Sequence, residues 1–285
     1  MNNLKTALLL GLLSGVLLVV GEAFGGRNGL VLALLLAGGM NFFSYFFSDK
    51  LALSMYSSQK VSESENWDVY RRLEPILGGL TQRMGLPMPK LFVIPDDSPN
   101  AFATGRNPEH ASVAVTAGIL RVMDDHELEG VLAHELGHVK NRDILTSSVA
   151  ATIAAAITFA ARMLFWFGGS RDDDNRGNML ASLLMMILAP LAALLIQMWI
   201  SRTREFAADA TSAETTGSPG ELISALQKLE TWSKRVPMDA SPATAHMFII
   251  KPITGASFGR MFSTHPATAE RIARLQAMAL PKPIR

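Results

Sequence analysis

The chain of 285 residues contains no cysteine, which excludes disulfides, a thiol nucleophile and any cysteine-ligated zinc or iron–sulfur site. Any metal would have to be held by His, Asp or Glu. The chain also lacks a charge excess of either sign. Its 26 Lys plus Arg stand against 25 Asp plus Glu, a formal net charge of +1, so no overall field favours nucleic acid or acidic partners. No internal repeat is visible. What is present in quantity is apolar surface: 49% of residues are hydrophobic and the mean hydropathy is positive, values nearer membrane proteins than soluble enzymes. The 15 Met show no clustered spacing and read as adaptable filler.

Two nearly pure apolar runs, residues 6–24 and 29–47, have spanning length and predict a transmembrane hairpin. A cleaved signal peptide is the alternative for the first. Residues 144–167 and 179–200 form a second pair, joined by a polar turn carrying Asp172, Asp173 and Asp174, and Pro190 should kink the last span. The predicted organisation is a hairpin at 6–47, a first catalytic segment at 48–143, a second membrane pair at 144–200 and a second catalytic segment at 201–285. Four spans put both termini and both catalytic segments on one side. Lys5, Lys50, Lys140, Arg142, Arg202 and Arg204 flank the spans there, against Arg27, Arg171 and Arg176 on the other side, so the positive-inside rule makes the catalytic side cytoplasmic.

Within the catalytic segments, residues 64–84 place Trp67, Tyr70, Leu73, Leu77 and Leu80 at helical spacing. Residues 90–94 and 111–115 are short β-rich runs flanking a turn-rich stretch. Asp124 and Asp125 supply cap chemistry for a helix whose apolar face includes Leu128, Val131, Leu132, Leu136 and Val139. Further helices are expected at 221–235 and from Pro266 to about Ala279. The expected fold is mainly α, an integral membrane protein with four transmembrane helices and an α+β, zincin-like (gluzincin) domain containing a small sheet.

The capped helix reads His134-Glu135-Leu136-Gly137-His138. Side chains four apart share a helix face, so the two imidazoles converge on one ion while Glu135 projects beside them toward a water. Two core histidines and a surface glutamate would be the plain alternative. A catalytic zinc takes three protein ligands and leaves a position open. The metzincin pattern needs Gly at 141 and His at 144, where the chain has Asn141 and Ile144, so the third ligand comes from elsewhere. Glu205 and Asp209, just after the fourth apolar run, lie at i and i+4. Glu205 can reach the metal while Asp209 backs a histidine, fixing its tautomer. For Glu205 the alternative is a solvated charge paired with Arg202 or Arg204.

With residues 100–105 (Asn-Ala-Phe-Ala-Thr-Gly), the His-Glu-Leu-Gly-His helix, residues 201–209 (Ser-Arg-Thr-Arg-Glu-Phe-Ala-Ala-Asp) and Ser263-Thr264-His265-Pro266 followed by Arg271, the whole chain resembles the HtpX family of membrane-bound zinc proteases of bacterial quality control. More distantly it resembles the eukaryotic CAAX prenyl-protein endopeptidases. The resemblance implies one zinc per chain with Glu205 as third ligand and Glu135 as the base. It also implies a cytoplasmic catalytic domain in the bacterial inner membrane, and misfolded or damaged membrane-protein and unfolded polypeptide substrates under envelope or heat stress. Asn100, Ala101, Phe102 and Ala103 would lie beside the cleft as a strand edge that pairs with substrate, an ordinary hairpin turn being the alternative. His265 and Arg271 would return over the site, His265 donating to the developing oxyanion and Arg271 holding His265 or a substrate carbonyl. Otherwise His265 is a helix cap. Two rival functions stay open: site-specific cleavage near a prenylated carboxyl terminus, and a membrane zinc protein that binds partners without cutting. Intact Glu135 argues against the second.

Overall fold

The computed structural model describes residues 52–143, 176–238, 248–249 and 266–279, with isolated positions between 8 and 50 and between 146 and 158. The chain divides into two compact units, residues 1–45 with 145–203 and residues 46–144 with 204–285.

In the second unit the elements are β1 (Gln59–Val61), α1 (Trp67–Met84), β2 (Lys90–Ile94), β3 (Ala101–Thr104), β4 (Ser112–Thr116), α2 (Ala117–Val122), α3 (Asp125–Lys140), the end of α4 (Arg176–Thr216), α5 (Pro219–Ser233) and α6 (Thr268–Ala279). The helix expected from residue 64 starts at Trp67. Ser62 and Glu65 pair through their backbones in a tight turn (2.8 and 3.2 Å), and Asn66 is left-handed at φ 56°, so the helix cannot extend further back. Its apolar spacing is as read: Leu73, Leu77, Leu80 and Met84 are buried.

The sheet runs β1-β2-β4-β3, antiparallel at both edges and parallel between β2 and β4. β1 and β3 are strands where sequence alternation marked none. Every residue of β4 is buried because both faces of the sheet are covered, which erases the polar alternation of a one-sided strand. Leu91, Val93, Val113 and Val115 join the main helical core, while Ile94, Phe102 and Ala114 pack with Ala52, Leu53, Met238 and Phe248.

α3 opens with a reciprocal capping box: Asp124 accepts from the Glu127 N–H (2.9 Å) and Glu127 accepts from the Asp124 N–H (3.1 Å). Glu127 also accepts from Ser224 and Lys228 of α5, both at 2.6 Å. Glycine permits the close helix crossings. A Cβ on Gly130 would lie 2.8 Å from the Leu222 backbone nitrogen, and one on Gly137 3.2 Å from the Ala208 Cα. The crossing at Gly137 brings α3 against the part of α4 that carries Glu205 and Asp209.

In the first unit, α4 continues through Pro190 as one helix. Leu184, Ile187, Leu188, Leu191, Leu194, Leu195 and Trp199 are exposed, whereas Ala189, Ala193 and Ile200 are buried. Among the described residues no helix is long and apolar enough to cross a membrane. Most of the runs read as spans, and the turn carrying Asp172 to Asp174, lie outside the described residues.

Candidate active site

α3 presents His134 and His138 one turn apart, with ring planes at 87° and Nε2 atoms 3.2 Å from each other. From α4, Glu205 brings Oε2 to 3.7 Å from His134 Nε2 and Oε1 to 3.6 Å from His138 Nε2. The three groups offer ligand atoms all within 4.8 Å of one another. His134 and Glu205 are buried, at 0% and 5% exposure. Two ring nitrogens and a carboxylate oxygen turned toward a common point form the donor set that a three-ligand zinc site requires. His126, Glu129 and Glu221 also come together, but none of them is buried, and Glu129 is already paired with Arg83.

Each imidazole is steered from its other nitrogen. His134 Nδ1 lies 2.9 Å from Asp209 Oδ1, and Asp209 is clamped by Arg271 through Nε (2.9 Å) and a terminal nitrogen (2.6 Å). His138 Nδ1 lies 2.7 Å from Asp143 Oδ2, whose Oδ1 is 3.2 Å from Arg204 Nε. Each carboxylate can accept the Nδ1 proton of its ring, which leaves both Nε2 atoms turned inward.

Charge balance follows burial. Burial, reinforced by the Arg271 charge, pulls the His134 imidazole down to about 4. Burial also acts downward on His138, but the hydrogen bond to Asp143 and the charge of Glu205 outweigh it and push that ring up to about 9. Burial pushes the Glu135 carboxyl up to about 7. For Asp209 burial acts upward, yet the Arg271 guanidinium prevails and holds it below the usual carboxylate range.

Glu135 accepts from the Ala103 backbone N–H at 2.8 Å, so the edge strand β3 runs beside it. Residues 101–103, expected as a strand edge, belong to β3 at the edge of the sheet. Asn100 is buried and clasped to Thr116, whose N–H and Oγ1 both reach its carbonyl (3.0 and 3.1 Å). The Phe102 ring packs edge-on against Phe248 at 5.3 Å, and the Ala101 carbonyl accepts from Ile249 N–H at 3.3 Å. It is the Ala103 backbone that meets Glu135. Arg271, expected to hold His265 or a substrate carbonyl, is buried beside His134, with one terminal nitrogen 3.3 Å from His134 Nδ1 and the other on the Ile249 carbonyl (2.9 Å). His265 lies outside the described residues. Asp143 escaped the sequence reading because it sits five residues after His138, off the i+4 grid. Its signal would have been an acidic residue just past the end of a metal-binding helix.

The sequence profile of peptidase family M48 matches residues 68–279. A protease HtpX homologue of Desulfatibacillum aliphaticivorans is 53% identical over 279 residues, 96% of this chain and 89% of the relative. One of Pelotomaculum thermopropionicum is 50% identical over 288 residues, 98% of this chain and 100% of the relative. Among solved structures, S. mikatae Ste24p shares the fold at a TM-score of 0.58 and 20% identity. The match covers 93% of this chain and 62% of Ste24p, so the chain spans less than two thirds of that protein.

Proposed function

The chain belongs to peptidase family M48, and from that premise we propose that it is a membrane-embedded zinc endopeptidase that hydrolyses misfolded or damaged membrane proteins at the cytoplasmic face of the bacterial inner membrane. That it is a metalloendopeptidase follows from the family. The observation that carries the zinc reading is the convergence of His134, His138 and Glu205 within 4.8 Å with Glu135 buried alongside.

In this reading His134, His138 and Glu205 hold one zinc, which would polarise the scissile carbonyl and acidify water. Glu135, with a carboxyl pushed up to about 7 and anchored by the Ala103 N–H, takes the proton of the attacking water and returns it to the leaving amine. Asp209, locked by Arg271, keeps His134 aimed. The β3 edge pairs with an extended substrate through its backbone, and His265 donates to the oxyanion. The resemblance, not geometry, supports that last role.

Support for the membrane reading comes from the apolar runs and from α4. Its large side chains Ile187 and Trp199 are 62% and 64% exposed while Ala189 and Ala193 are buried. That inverts a water-facing helix and suits small residues at helix contacts with large ones toward lipid. The apolar runs support four spans, and the charge pattern supports a cytoplasmic catalytic side.

The test is zinc content and casein cleavage by the detergent-solubilised full chain, wild type against Glu135→Gln. The expected result is about one zinc in both proteins and a loss of about 10²- to 10⁴-fold in cleavage for the variant, the usual contribution of a general base. Wild-type turnover in Glu135→Gln would remove Glu135 from the chemistry.

A further inference from the structure

Asp143 reaches His138 by an unusual route. α3 stops at Lys140, and the Asn141 N–H still bonds to the Gly137 carbonyl at 3.0 Å. Arg142 then takes φ 53°, the left-handed region that a residue with a Cβ enters only at a steric cost. Its N–H closes the turn on the Val139 carbonyl at 3.1 Å. The reversal folds Asp143 back under the helix it has just left. There Asp143 is 4% exposed, with Oδ2 2.7 Å from His138 Nδ1 and Oδ1 3.2 Å from Arg204 Nε. Arg204 directly precedes Glu205, so one side of the site is tied together across α3 and α4.

We propose that Asp143 is a positioning residue for the metal site: it accepts the Nδ1 proton of His138, aims Nε2 at the ion, and is itself fixed by Arg204. This rests on the zinc reading above. The two histidines then have the same device built differently. His134 gets its carboxylate from α4 by helical register with Glu205, and His138 gets its own from a strained turn. A purely structural Asp143 would tie the end of α3 to Arg204 without affecting metal affinity. A positioning Asp143 weakens the metal even where the fold is intact, as carboxylates behind zinc-bound histidines generally do.

The experiment is chelator competition for zinc on the full chain in detergent, with wild type, Asp143→Asn, Asp143→Ala and Arg204→Gln. Zinc should be held about 10- to 100-fold less tightly in Asp143→Ala. The loss should be smaller in Asp143→Asn, which keeps an oxygen acceptor without the charge, and smaller again in Arg204→Gln. Melting of the metal-free proteins reports the fold separately. If Asp143→Ala fails to fold, the near-isosteric Asp143→Asn carries the test. Wild-type zinc affinity together with an unchanged absorption spectrum of the cobalt(II)-loaded variant overturns the proposal. A wild type that binds no zinc overturns the zinc reading first, and the two failures are distinct.

Discussion

The helix α4 has two halves that obey opposite rules. Over residues 184–199 it exposes Leu184, Ile187, Leu188, Leu191 and Trp199 and buries Ala189, Ala193 and Met198. From Glu205 to Asp209 it buries two carboxylates at 5% and 3% exposure. Neither half suits a helix lying on a water-soluble core, where large apolar groups go in and charges stay out. The first exposes its large apolar side chains. The second is arranged for cations, since buried carboxylates are tolerated only when paired with charge or metal. One continuous helix thus joins an apolar surface to a polar interior.

The comparison is broken most completely at Glu205. Glu205→Ala should take zinc content from about one per chain to near zero and abolish cleavage, because two imidazoles alone do not complete a three-ligand site. Metal analysis of the purified variant reads this directly. Full occupancy would make the buried carboxylate a partner of Arg271, 3.6 Å away, and not a ligand.

In the other half, Leu188→Arg should cost about 2.5–3.5 kcal/mol of membrane insertion if that face meets lipid, whereas an ordinary surface substitution in water stays within about 0.5 kcal/mol. Quantifying the chain in the membrane fraction separates the two. Unchanged accumulation would mean that the exposed leucines face something other than lipid.

The gentlest probe is pH. In the metal-free protein His138 is pushed up to about 9, above its unfolded value of about 6.5. Its proton therefore adds stability that is fully present below about 6.5 and is lost as pH rises through 9. Zinc must displace that proton, while His134, held at about 4, is already neutral. Apparent zinc affinity should rise about tenfold per pH unit between roughly 6.5 and 9 and then level off. Chelator competition at three pH values measures the slope, and a flat profile would mean that His138 carries no proton for zinc to displace.

Legibility in the sequence followed the period of each element. Residues 73, 77, 80 and 84 on α1 and the Asp124 cap of α3 were readable because the relevant spacings lie within one helix. The sequence marks β3 only as a strand edge or a hairpin turn and carries no mark of β1. Three or four residues with both faces covered show no alternation. Arg271, read as holding His265 or a substrate carbonyl, is buried against His134 and Asp209. Its true partner Asp209 lies 62 residues away, and no local pattern encodes that distance.

By itself the sequence determined the pairs at i and i+4, His134 with His138 and Glu205 with Asp209. Helix geometry fixes the angle between such side chains wherever the helix goes. It also determined the apolar runs and the exclusion of cysteine chemistry. Only the tertiary structure decided that Glu205 faces both imidazoles and that Asp209 backs His134. The same holds for Asp143, which a left-handed Arg142 turns onto His138. Those relations depend on how closely α3 and α4 approach, and that distance is set where Gly137 meets Ala208, a contact between elements whose separation along the chain carries no period to read.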